Sequence, residues 1–185
     1  TEDDKPFELP DGWEWCRFGD IITFLNGYAF KSSTYVESSK YQVIRLGNVK
    51  NNNLLINTKE AFVSENIGLN ALSYKLLPND ILTTLTGTKD KRDYCFTCLV
   101  EKHHTEKRTL LLNQRVGCIR PIDKNSSKFL NMFLKTNEIL NQLFKTESGT
   151  ANQGNIGSSA FKSIIFPLPP IKEQKAIVNI VDTLM

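Results

Sequence analysis

The chain has 185 residues, which is enough for one domain with a core of its own, so neither a disulfide nor a metal ion is needed to hold it. An apolar fraction of 40% and a net charge of +3 are ordinary for a globular protein. No apolar run approaches the roughly 18 residues of a membrane span. The acidic segment at residues 1–5 is unlike a secretory signal. We therefore expect a cytoplasmic protein whose four cysteines stay reduced.

The first two thirds of the chain favour strands. Period-two alternation predicts them at residues 13–18, 41–49, 53–63, 81–85, 94–100 and 110–120. Asp20 can cap a short helix over residues 21–25, and a helix interrupted at Gly68 is predicted within residues 64–77. Residues 87–93 are predicted to form a charged loop between two strands.

The last third changes to helical spacing. Helices are predicted at residues 126–147, from residue 158, and from the proline pair at residues 169–170. In the last helix Ile177, Val181 and Leu184 are spaced four and three apart, as in a coiled-coil seam that lacks its partner. No capping residue ends this helix before Met185, which predicts that the sequence is cut from a longer protein.

A zinc site is the first chemical possibility to weigh. Cys95 and Cys98, followed by His103 and His104, have ligand-type side chains. The residues around the cysteines are aromatic or β-branched, which predicts a strand, and positions three apart on a strand point to opposite faces. We therefore expect structural thiols and no metal or other cofactor, with the two histidines in a solvated turn.

Three partial enzyme motifs are each incomplete. The glycines within residues 149–157 are spaced as in a P-loop, but Asn155 stands where the phosphate-binding lysine belongs. Residues 173–175 match half of a nuclease metal site, and residues 169–170 match half of an amino-methyltransferase site. No catalytic residue is predicted.

Polar loops remain as candidate binding elements. Arginine and lysine suit phosphates and guanine edges, whereas asparagine and glutamine suit adenine. An aromatic pair also precedes one of the lysines. The candidate DNA-binding residues are Tyr28, Lys31, Lys89, Lys91, Arg92, Thr150, Asn152 and Gln153.

Seven sequence blocks in a fixed order carry a family resemblance. They are LPDGWEW at residues 9–15 with GDI at 19–21, GYAFKSS at 27–33, VIRLGNV at 43–49, LPNDIL at 77–82, LTG at 85–87, LNQRV at 112–116, and FPLPPI at 166–171 with EQ at 173–174 and IV at 177–178. Together they resemble the target recognition domain of type I restriction–modification specificity subunits.

The resemblance implies an α+β fold, a twisted mixed sheet with packed helices, over a recognition domain at residues 1–168. Residues 169–185 would then begin a long spacer helix. It also implies a non-catalytic subunit whose partners are double-stranded DNA and the modification (methyltransferase) and restriction subunits, with no membrane. Such subunits usually carry two recognition domains, so the sequence is either a piece of one or a half-subunit.

Two other classes of function are also compatible with the sequence. One is an enzyme: a recognition domain from a fused restriction–methylation polypeptide, or a small methyltransferase or nuclease. The other is a protein–protein adaptor that does not respond to DNA.

Overall fold

Fourteen short strands and six α-helices, joined by loops and 3-10 turns, form residues 8–184, the part of the chain that the computed structural model describes. The acidic segment at residues 1–5 and Met185, where the sequence predicted an uncapped helix, lie outside the described residues. The strands are β1 (Glu14–Arg17), β2 (Ile22–Asn26), β3 (Tyr35–Val36), β4 (Tyr41–Ile44), β5 (Val49–Lys50), β6 (Asn53–Leu54), β7 (Phe62–Val63), β8 (Ile81–Thr84), β9 (Thr86–Thr88), β10 (Thr97–Leu99), β11 (Thr109–Leu112), β12 (Val116–Pro121), β13 (Gln153–Asn155) and β14 (Ile165–Leu168). The helices are α1 (Phe18–Ile21), α2 (Glu65–Asn70), α3 (Ser127–Phe133), α4 (Asn137–Phe144), α5 (Ser158–Ser163) and α6 (Ile171–Leu184).

Two four-stranded sheets form the centre of the fold. The first sheet has the order β10-β8-β12-β2 and is antiparallel in each pairing. The second sheet has the order β11-β4-β7-β3, and its β11–β4 pair is parallel, so this sheet is mixed. The remaining strands form three two-stranded ribbons, β1–β14, β13–β9 and β5–β6.

Alternating side chains divide the interior into layers, because successive residues of a strand point to opposite faces. In β8, Ile81 packs with the helices, whereas Leu82 packs between the two sheets. In β11, Leu110 and Leu112 join the core between the sheets, and Leu111 packs under α2 on the far side. The layer order is therefore helices, first sheet, second sheet, α2.

The α+β class is confirmed, although the β-structure is five separate sheets instead of one twisted sheet. The strands predicted within residues 41–63 are shorter than expected, because a 3-10 helix at Leu46–Asn48 follows β4 and a tight turn joins β5 to β6. No helix within residues 8–184 is both long and apolar enough to cross a bilayer.

Three helix predictions are wrong in detail. Residues 21–25 were expected to be helical, but Ile22–Asn26 is strand β2, whose pairing with β12 outweighs the local preference. Gly68 lies inside α2 and does not interrupt it; a glycine is needed there because an added Cβ would come within 2.2 Å of the Tyr41 ring. The helix predicted at 126–147 is two helices, α3 and α4, both of which pack on the same core.

The first half of α6 belongs to the domain's own core. Gln174 is 3% exposed and Val178 is 8% exposed, and Ile177 packs against the core beneath the helices. The expectation that Ile177 forms part of an unpartnered stripe is therefore wrong. Leu184, at 80% exposed, does project from the domain. Glu173, from the partial nuclease motif, accepts a hydrogen bond from Trp13 Nε1 at 2.6 Å.

Candidate nucleic-acid interface

One end of the two central sheets gathers most of the predicted binding residues. β2 and β8 finish at this end of the first sheet, and β12 starts there. β4 and β11 finish together at the matching end of the second sheet. The turn at residues 113–115 connects β11 to β12, so the two sheets share this end.

Backbone hydrogen bonds connect the turns at this end into one continuous edge. Tyr28 N donates to Leu112 O at 2.9 Å, and Gln114 N donates to Tyr28 O at 3.0 Å. Leu85 N donates to Arg115 O at 3.1 Å. We call this edge the polar rim; it comprises Tyr28, Lys31, Arg45, Lys59, residues 113–115, residues 88–93 and residues 149–153.

Two loops about 60 residues apart in sequence meet on the polar rim, at residues 88–93 and 149–153. Lys89 N donates to Asn152 O at 2.9 Å, and Asp90 N donates to Asn152 Oδ1 at 3.1 Å. Lys89 Nζ donates to Gly149 O at 3.2 Å. These paired loops therefore bring together six of the eight candidate residues, namely Lys89, Lys91, Arg92, Thr150, Asn152 and Gln153.

A buried tyrosine supports the paired loops from below. β9 and β13 pair with Gly87 opposite Gly154. An added Cβ on Gly87 would come within 2.6 Å of the Tyr94 ring, and one on Gly154 within 2.3 Å of Tyr94 Oη. Both glycines are therefore needed for the ribbon to lie directly on Tyr94, which is 1% exposed.

Arg92 and Asp93 have defined positions in the first of the paired loops. The Arg92 guanidinium carbon lies 4.8 Å from the centre of the Phe144 ring, a cation–π arrangement. Arg92 also has a left-handed φ of 45°. Asp93 Oδ1 accepts a hydrogen bond from Thr88 N at 2.6 Å and so closes the loop.

Tyr28 and Lys31 occupy a different part of the polar rim. The Tyr28 ring is 46% exposed and lies 4.9 Å from Phe30 and 5.3 Å from Tyr74. Lys31 is exposed, and its backbone carbonyl accepts from Thr34 N at 3.0 Å at the start of a 3-10 turn. The structure thus brings together the two loops but leaves these two residues beside a separate cleft.

That cleft has a volume of about 520 Å³ and contains basic residues that were not among the candidates. Arg45, Lys59 and Arg115 line it, together with Ser32, Tyr35 and Gln114. Arg45 and Lys59 fall in two successive predicted strands and were not considered as binding residues. A single arginine within the apolar segment VIRLG could have indicated a functional side chain at that position. We call this feature the basic cleft.

The residues weighed as zinc ligands do not assemble. Cys95 packs beneath the helices and Cys98 between the two sheets, so the thiols lie in different cores, as the strand argument predicted. The predicted reason, alternation of side chains along one strand, holds only in part, because Cys95 precedes β10 and has a φ of 61°. Within residues 8–184, no three His, Cys, Asp or Glu side chains are grouped as metal ligands.

His104 is not in a solvated turn as expected. It is 9% exposed, and its Nδ1 accepts a hydrogen bond from Glu101 N at 2.9 Å. Burial lowers the pKa of His104, which keeps the ring neutral and able to accept that bond. His103 beside it is exposed.

Comparisons with known proteins agree with this architecture. The sequence model described as "Type I restriction modification DNA specificity domain" matches residues 10–185. The chain is 31% identical over 194 residues to the type I restriction enzyme EcoAI specificity subunit of Escherichia coli, covering 100% of the chain and 30% of that subunit. It is 28% identical over 184 residues to the EcoKI specificity subunit of Escherichia coli strain K12, covering 96% of the chain and 37% of that subunit.

Solved structures show the same fold. The HsdS subunit from Thermoanaerobacter tengcongensis superposes with a TM-score of 0.65 at 21% identity, over 97% of this chain and 39% of that one. A chain from a structural study of complex assembly and conformational transition in the type I R-M system gives a TM-score of 0.68 at 20% identity, over 98% of this chain and 40% of that one.

The chain belongs to the family of type I restriction modification DNA specificity domains. It spans about a third of the length of the specificity subunits named above.

Proposed function

We propose that this chain is a DNA target recognition domain of a type I restriction–modification specificity subunit. It binds double-stranded DNA in the cytoplasm and has no catalytic centre of its own. It directs the modification (methyltransferase) and restriction subunits to a target sequence. The observation that carries the proposal is the meeting of the two paired loops, which present cations and amides from a backbone fixed by hydrogen bonds between them.

The paired loops are proposed to read base edges. Asp93 is engaged with Thr88 N, so it shapes the loop, and the cations Lys91 and Arg92 stay available to DNA. Arg92 rests on Phe144, which limits its freedom and favours a directional contact with a base. Asn152 Oδ1 already accepts from Asp90 N, so its amide N–H group remains for a contact.

Lys31 and Tyr28 are proposed to contact the DNA backbone. Lys31 is exposed beside the basic cleft, and Tyr28 is the exposed member of an aromatic group. A phosphate contact of this kind positions the protein on the duplex without choosing a sequence. Residues 1–168 form the recognition domain in this proposal, and residues 169–185 begin the spacer helix.

The family relatives named above are specificity subunits, which favours this proposal over a fused restriction–methylation enzyme. The enzyme alternative has a direct test. Incubating the chain with DNA, S-adenosylmethionine and magnesium should give neither methylation nor cleavage. Unchanged behaviour with and without DNA would instead support a protein–protein adaptor.

The proposed function is tested by replacing Lys89, Lys91 and Arg92 with alanine and measuring affinity for target DNA and its modification by the reconstituted complex. Methylome sequencing of a host that carries the system supplies the target. The single change Arg92→Ala should cost roughly 1–3 kcal/mol on the target and little on other sequences, whereas Lys31→Ala should weaken binding to all sequences about equally.

A control variant removes the same charge at the opposite end of the sheets. Lys124, Lys128 and Lys172 are exposed, and the first two follow the far end of β12. Replacing these three with alanine should leave target affinity nearly unchanged. If the paired-loop variant retains both affinity and target choice, the loops do not read the target.

A further inference from the structure

The basic cleft concentrates positive charge without a compensating carboxylate. Arg45, Lys59 and Arg115 line it, and no acidic side chain does. Two other arginines of this domain form ion pairs with carboxylates: Arg120 with Asp80 at 2.7 Å, and Arg108 with Glu60. Within residues 8–184, none of the three cleft cations has such an ion pair. Their charge is therefore free to attract an anion.

Arg45 is held in place before any ligand arrives. Its guanidinium carbon lies 5.6 Å from the Tyr35 ring centre, and its Nη2 donates to Lys59 O at 2.6 Å. Its Nε is buried and has no hydrogen-bond partner. A guanidinium held by these contacts loses little entropy on binding an oxyanion.

A single buried amide fixes the two loops that carry these cations. Asn48 is 1% exposed, and its Oδ1 accepts from Arg45 N at 2.9 Å. Its Nδ2 donates to Leu55 O at 2.9 Å and to Thr58 O at 2.7 Å. The loop after β4 and the loop before β7 are thereby joined, which sets the position of Lys59 relative to Arg45.

The shape of the cleft selects which part of DNA can enter. Bases are recessed in the grooves of a duplex and must be reached by protruding groups, whereas phosphates project from the backbone. A concave cleft of about 520 Å³ lined by cations and amides fits a projecting phosphate. The paired loops, by contrast, follow the end of β8 and are exposed at residues 90–93 and 150–153.

We propose that the basic cleft binds one backbone phosphate of the DNA and sets the register in which the paired loops meet the bases. This rests on the proposed function, since it assigns a second contact to the same interface. Lys59 and Arg115 supply charge, and Arg45 supplies oriented N–H donors.

The test replaces the two exposed cations, Lys59→Gln with Arg115→Gln, and measures affinity for duplex DNA over a range of salt concentrations. Each phosphate contact contributes about 0.9 to the slope of log affinity against log salt. We expect this slope to fall by about one, and the affinity to fall by the same factor on target and unrelated duplexes. The control pair Lys124→Gln with Lys128→Gln should leave the slope unchanged.

Neutral backbone substitution identifies the phosphate itself. Methylphosphonate is placed at each position of the target duplex in turn. We expect one position at which it weakens binding by the unmodified protein but has no effect on the Lys59→Gln, Arg115→Gln variant. An unchanged salt slope together with the same methylphosphonate profile in both proteins would overturn the proposal. If the cleft variant has no effect but the paired-loop variant still loses target affinity, only the assignment of the cleft fails. If neither variant affects DNA binding, the proposed function fails as well.

Discussion

Buried thiols at the residue scale give a direct chemical prediction. Burial raises the pKa of Cys95 and of Cys98 to about 12, and burial with the nearby Asp20 raises that of Cys16 to about 11. Burial likewise raises the pKa of Cys118. Because the thiolate is the reactive form and the metal ligand, we expect no thiol to react with a disulfide reagent at pH 8 in the folded protein.

The same titration in denaturant provides the control, since all four cysteines should then react. Metal analysis after dialysis should find no stoichiometric zinc. One equivalent of zinc, lost together with the fold on chelation, would contradict the prediction.

Sequence patterns predicted some residue environments and missed others. The separation of Cys95 from Cys98 was predicted from strand geometry, but Cys95 precedes β10 and has a φ of 61°, so the outcome was right and the reason only partly so. Arg45 was missed because its role depends on Tyr35 and Lys59, which come from other strands and loops. His104 was missed for a related reason: its burial comes from its position in the fold, and the charged residues around it suggested solvent.

At the element scale, the β9–β13 ribbon depends on its close contact with Tyr94. Gly154→Ala would place a methyl group within 2.3 Å of Tyr94 Oη and 2.5 Å of Glu147 Oε1. Glu147 can move, but Tyr94 is enclosed and its ring also contacts Phe144 at 5.3 Å. We expect a loss of about 1–3 kcal/mol in the free energy of unfolding, measured by denaturant titration, with weaker target binding because the paired loops shift.

Gly157→Ala is the matched control. An added Cβ there would meet nothing closer than Ser159 Oγ at 3.7 Å, and the residue is the N-cap of α5 with an ordinary φ of −81°. Stability and target affinity should both stay close to those of the unmodified chain. Equal losses for the two variants would mean that the contact with Tyr94 is not the cause.

Elements were predicted best where local pattern and tertiary contacts agree. The segment Ile81–Thr84 follows a proline turn, and its side chains point alternately into two cores. The sequence therefore predicted strand β8 correctly. Ile22–Asn26 has an aspartate before it and a glycine after it, which favours a helix locally, but pairing with β12 makes it a strand. Helices α3 and α4 were merged because each has helical spacing, and the break between them is a local one at Thr136, whose backbone is extended with a φ of −68° and a ψ of 149°.

At the scale of the whole molecule, the order of the sequence blocks indicated the family, but not which blocks meet. The candidate residues near 90 and 150 were identified from their side chains alone. Their contact depends on β9 pairing with β13, a long-range interaction that no local pattern encodes. The basic cleft could not be predicted from local patterns at all, because its three cations come from three separate turns.

The folded domain extends past residue 168 into the first half of α6. The proposed boundary at residue 168 was placed just before the predicted start of the spacer helix. However, Gln174 and Val178 are buried in the domain's own core, and Ile177 packs against that core. Burying one such aliphatic side chain is worth about 1.5–3 kcal/mol. We therefore expect a chain ending at Leu168 to lose at least about 2 kcal/mol of unfolding free energy. A chain ending at Asn179 should keep most of its stability, because beyond it Ile180 and Leu184 are 61% and 80% exposed and Val181 is only partly buried. Urea denaturation of the two truncations and the full chain measures the difference, and equal stability of all three would show that the first turns of α6 serve only as the spacer.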